Sequence, residues 1–122
     1  MRATISAVLA AIALSAAPAL AHHGWAGQGT ERFEVSGTLE SPVQLGGPHA
    51  TMRIKDKNGQ VGEATLAAPP RVEAAGLKKD TIPVGAQVTI SGKRNLDAKR
   101  FEVKTERVTY QGRNFDVYPD RT

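Results

Sequence analysis

Phe33, Val35, Gly37 and Leu39 alternate with Glu34, Ser36, Thr38 and Glu40. A period of two sends successive side chains to opposite faces of an extended chain, so this stretch reads as a half-buried strand. Gly37 inside it marks a bulge or a sharp bend. Ser41-Pro42 ends the regular part, and Val43 to Leu45 can continue it after the kink. The same alternation recurs downstream, which commits the chain to a sheet with one face in a core.

Ala50, Met52 and Ile54 alternate with Thr51, Arg53 and Lys55 as a second strand. Asn58-Gly59 then supplies the strongest short hairpin signal, and a third strand follows from Gln60 to Leu66. Pro69 and Pro70 suit a helix start, where a missing N–H costs nothing. Arg71 to Ala75 tolerate a helix and Gly76 stops it, which predicts one helix of about two turns. Val88 and Ile90 carry a fourth strand, and Gly92 to Lys99 reads as a polar hairpin loop. Phe101, Val103 and Thr105 open a fifth strand. Its apolar phase then slips to Val108 and Tyr110, as an inserted bulge residue near Glu106 would produce. Gln111 to Asn114 is a turn, and Phe115, Val117 and Tyr118 give a short sixth strand or packed tail. Three strands, a helix and two further strands is the order of an OB-type barrel. The expected fold is therefore mostly β: a small OB-like barrel of five to six strands, with one short helix between strands 3 and 4. Other small barrels or sandwiches fit the same pattern.

Residues 1–21 read as a secretory signal. Arg2 is positive, Ile5 to Leu14 is apolar, and Ala19-x-Ala21 puts small residues at −3 and −1 of a cleavage site. The apolar run is too short to span a bilayer comfortably, which takes about 20 residues. Cleavage after Ala21 gives three expected segments: the signal at 1–21, a flexible His-bearing leader at 22–31, and one β-barrel domain at 32–122. The product is expected in the periplasm or secreted, as a monomeric domain. With no cysteine in the chain, it has neither a disulfide framework nor thiolate ligands. Losing Arg2 with the signal lowers the formal charge from +4 to +3. Such a charge draws a protein to anionic envelope surfaces, and an exported protein does not meet nucleic acid as a partner.

Cleavage after Ala21 would make His22 the first residue, with a free amine. The chain has 3 histidines, and all lie in two places: His22 and His23 at that terminus, and His49 at the edge of the Gly46-Gly47-Pro48 turn. The His22 amine and ring Nδ1 can chelate one ion, and His49 can complete a T-shaped three-nitrogen site. Alternatively the His23 ring, the amine and the intervening deprotonated amide wrap a metal in a plane. Both arrangements are tetragonal and nitrogen-rich, which favours Cu(II) or Ni(II). Zn(II) is possible but lacks an obvious fourth ligand. Met52 is a conceivable soft ligand, but it reads better as core, and Trp25 reads as an anchor for the leader.

The order of these motifs resembles a family of small exported bacterial proteins known only as a domain of unknown function. The matching residues are His22-His23, Pro48-His49, Asn58-Gly59 and the segment Gly85-Ala86-Gln87-Val88-Thr89-Ile90-Ser91-Gly92. The resemblance covers the mature chain. Gly47 stands where that family commonly has Asn, and Thr51 and Met52 stand where it often has an aromatic. The family carries no settled activity over to this chain.

Enzymatic signatures are weak. Ser36, Ser41 and Ser91 have no nucleophile-elbow context. Glu102 and Glu106 can share a strand face, but their spacing matches solvated alternation. No catalytic role is expected. The expected function is Cu(II) carriage or buffering through His22, His23 and His49. The alternative is an OB-type interaction module that binds a protein, glycan or anionic polymer and has no metal role.

Overall fold

The computed structural model describes Trp25 and residues 27 to 121. The expected signal peptide and the His22-His23 pair lie outside the described residues. Six strands and one short α-helix follow in the order β1 (Gln28–Gln44), β2 (Thr51–Lys55), β3 (Val61–Thr65), α1 (Pro69–Ala74), β4 (Gln87–Asn95), β5 (Glu102–Tyr110) and β6 (Arg113–Asp116). A 3-10 turn at Pro119–Arg121 follows. No described helix is long and apolar enough to cross a membrane.

The sheet runs β3-β2-β1-β4-β5-β6. A parallel pairing of Glu63, Ala64 and Thr65 with Glu102, Val103 and Lys104 joins β3 to β5 and closes a ring of hydrogen bonds. The other pairings are antiparallel.

β1 makes the ring possible because it serves two neighbours. Its first part, to Thr38, pairs with β4, and from Thr38 onward it pairs with β2. Gly37 stands at the changeover, where a Cβ would collide with the Lys55 carbonyl. The bend expected there is a close backbone approach that only glycine permits. Register shifts around Ser41 carry the strand past the Ser41-Pro42 kink to Gln44. β1 begins at Gln28, inside the stretch expected as a leader.

Leu39, Val43, Met52, Ile54, Ala64, Val88, Ile90, Val103 and Val108 turn inward from the strands. Val72 of α1 and Leu77 join them, and Phe115 and Val117 enter from the C-terminal end. Met52 is fully buried, so it is a core residue. Pro69 and Pro70 open α1, and Ala75 and Gly76 end it, as their residue types predict. In the β2–β3 hairpin the Asp56 carboxylate accepts from the Asn58 and Gln60 amides.

Two local expectations need correction. β4 does not end before Gly92 but runs on to Asn95. Polar residues at Lys93 and Asn95 face outward there, so their composition mimics a loop. The turn after β5 is two residues, Gln111 and Gly112, because Arg113 and Asn114 already pair with Tyr110 and Thr109.

Candidate functional site

The phase slip in β5 is a bulge. Ser91 pairs with Arg107 and Gly92 with Thr105, which leaves Glu106 as the extra residue. A Cβ at Gly92 would strike the Lys104 carbonyl, so glycine is required opposite the bulge. The bulge returns Val108 to the core while Lys104 stays on the outer face. Arg32, Lys93 and Lys104 fall in one cross-strand row there.

The tail covers this outer face. After β6 the amides of Val117 and Tyr118 both donate to the Glu106 carbonyl, at 3.0 and 3.3 Å. That turns Val117 inward and holds Tyr118 against the sheet. Trp25 meets Tyr118 edge-on with ring centroids 5.2 Å apart. The Arg121 guanidinium lies 3.9 Å from the Trp25 centroid. The Lys104 ammonium sits 5.4 Å from Trp25 and 5.8 Å from Tyr118, and Arg71 of α1 lies 5.5 Å over Tyr118. Three cations from three parts of the chain thus converge on two rings, and Trp25 is an anchor as its type suggests.

His49 lies in the exposed bend between β1 and β2. The residue after it is fixed: the Ala50 amide donates to Ala67 and its carbonyl accepts from Leu66. The His49 pKa is pulled below the ordinary histidine value, first by partial burial and then by the nearby charge of Lys104. Lys104 is itself held below the usual lysine range, mainly by burial. Glu102 works against this shift and Arg121 adds to it. Burial raises the Tyr118 phenol, while Arg71 and Arg121 oppose the change. Lys104 therefore links the expected ligand His49 to the anchored Trp25.

His22 and His23 lie outside the described residues. Among the described residues no three His, Cys, Asp or Glu side chains come close enough to hold one metal ion. The solvated reading of the two β5 acids fails for Glu106, while Glu102 is partly buried and held by Thr65, Asn95 and Arg100. Glu106 is fully buried, with Arg32 at 3.7 Å and Lys93 at 3.9 Å, and neither of its carboxylate oxygens accepts a hydrogen bond.

A surface cleft of about 490 Å³ opens elsewhere, lined by residues including Glu31, Arg32, Phe33, Arg94 and Leu96. Neither His49 nor Lys104 lines it, so this cleft and the cluster around Lys104 do not coincide. The residues that sequence reasoning missed are Lys104, Arg71, Arg121 and Tyr118. Each looks like an ordinary polar or tail position, and only the folded ring brings them together. Comparison with protein-family models, curated proteins and solved structures finds no match.

Proposed function

We propose that the protein is an exported Cu(II) carrier or buffer built on an OB-type barrel. The ring order β1-β2-β3-β5-β4, with α1 between β3 and β4, supports the barrel reading because it matches that architecture. The resemblance carried by the His-His and Pro-His motifs is in keeping with it.

One observation carries the metal reading: Trp25 is anchored beside Lys104, and the charge of Lys104 reaches His49. Trp25 follows His22 by three residues, a span of at most about 10 Å in an extended chain. In this reading the short span from Trp25 lets the His22 amine and ring and the His23 ring approach His49. A lowered pKa keeps the His49 imidazole unprotonated at neutral pH, the form that binds a metal. The cost is electrostatic, since Lys104 repels a dication. Planar chelation through the deprotonated His23 amide lowers the charge of the complex and reduces that repulsion. Zn(II) and Ni(II) are the weaker candidates. The proposed role is carriage or delivery, not catalysis.

The test is a Cu(II) titration followed by electron paramagnetic resonance on protein whose true first residue is His22. Expected is a nitrogen-rich tetragonal signal that weakens below about pH 6, as protons compete for imidazole and amine. One extra N-terminal residue and His49→Ala should each weaken the site by at least about tenfold. Equal Cu(II) affinity in all three proteins sinks the reading. Loss on capping alone reduces it to a terminal chelate that does not involve the barrel.

A further inference from the structure

Lys104 is 4 % exposed, yet its ammonium has no carboxylate partner among the described residues. Arg71 and Arg121 share that condition, and the contacts that gather the three are to the Tyr118 and Trp25 rings. The acid closest in influence, Glu102, is committed elsewhere. It pairs with Arg100 and accepts from Thr65 and Asn95. Asp120, on the same turn as Arg121, forms no ion pair with any of the three.

Gathering like charges on one patch is unfavourable, and an anion placed among them removes the penalty. The side-chain chemistry specifies the anion further. A guanidinium lying over a ring leaves its N–H edge free to donate in parallel to two oxygens. Lys104 adds a compact charge at the floor, and the Tyr118 hydroxyl supplies a neutral donor. A carboxylate offers two oxygens in one plane and satisfies one such fork. Donors arriving from α1, β5 and the C-terminal turn suit a multivalent anion that accepts from several directions.

We propose that Arg71, Lys104 and Arg121, set around Trp25 and Tyr118, form a binding site for a phosphate group. The site uses none of the proposed copper ligands, so either reading can fail without the other.

The experiment uses metal-free mature protein at neutral pH in two arms. Calorimetric titration with inorganic phosphate tests for a free anion. Co-sedimentation with phosphatidylglycerol vesicles, against phosphatidylcholine vesicles, tests for a lipid headgroup. Arg71→Gln on the exposed face of α1 and Lys104→Met at the floor remove one charge each, and Lys57→Gln in the β2–β3 hairpin is the equal-charge control. Saturable binding in either arm should fall at least about tenfold in Arg71→Gln and Lys104→Met, since a charge-assisted hydrogen bond contributes about 1.5–3 kcal/mol and tenfold is 1.4. Lys57→Gln should stay within about twofold. Absence of saturable binding in both arms overturns the proposal. So does an equal loss in Lys57→Gln, which would mean that net charge alone is being read.

Discussion

Lys104 and Glu106 stand two residues apart on β5, and both are buried. Glu106 has two cations within 4 Å, Arg32 of β1 and Lys93 of β4. Lys104 has the Trp25 and Tyr118 rings beside it, and its pKa is lowered first by burial, with Glu102 opposing the shift and Arg121 adding to it. A buried charge that the fold itself balances is a structural element. A buried charge with no ion-pair partner costs stability, and Lys104 has none among the described residues. The same bulge sets up both, so the contrast lies in what surrounds each group and not in the strand that carries them.

The largest expected effect tests the balanced side. Replacing both Arg32 and Lys93 with Gln leaves the Glu106 carboxylate buried without a counter-ion. Urea unfolding should show a loss of about 3 kcal/mol, the scale for a broken buried pair. Adding Glu106→Gln to that variant should restore much of it. A double variant as stable as the parent would mean that Glu106 is balanced from elsewhere, and the contrast would collapse.

On the unbalanced side the sign should reverse. Lys104→Met keeps the stem and removes the charge, so the metal-free and phosphate-free protein should lose nothing and can gain up to about 1 kcal/mol. A loss above about 2 kcal/mol in the same urea assay would show that Lys104 already has a strong internal partner.

The smallest effect is the pH dependence of that difference. The folded-state pKa of Lys104 lies below its unfolded value of 10.5, so the native state gives up this proton first as pH rises. Stability attributable to this group then increases with pH toward 10.5 and is lost as pH falls through the folded pKa. The parent should therefore gain on Lys104→Met at alkaline pH. Denaturation series at pH 7 and pH 10 would measure the gap, and a gap that widens with pH contradicts the assigned direction.

Much of the ring could be read from the chain. The alternation from Phe33 to Leu39 gave the inward face of β1, and Pro69-Pro70 with Gly76 bracketed α1. The slip from Val103 to Val108 located the bulge at Glu106, because a two-residue period makes one inserted residue visible. What could not be read is what lies over the outer face. Alternation assigns Glu106 and Lys104 to that face and so predicts that water covers them. Instead Trp25, Tyr118 and Arg121 come from the far ends of the chain to lie against it, a long-range event with no local signature. Lys93 and Asn95 misled for the same reason, since outward polar residues in a paired strand look like a loop. Of the candidate metal ligands, only His49 falls among the described residues, and its turn position was readable from Gly46-Gly47-Pro48.

The contact between Trp25 and the Tyr118–Arg121 turn also sets an order of events in time. Chains are made from the N-terminus at roughly 5–20 residues per second. Trp25 therefore emerges roughly 5 to 20 seconds before the residues that will hold it. Until those residues arrive, Trp25 lacks its contacts with Tyr118 and Arg121. In the proposed copper protein the metal site is thus the last part to mature. A chain truncated before Tyr118 would keep all three histidines and lose the Tyr118 and Arg121 contacts with Trp25 on which the copper proposal rests.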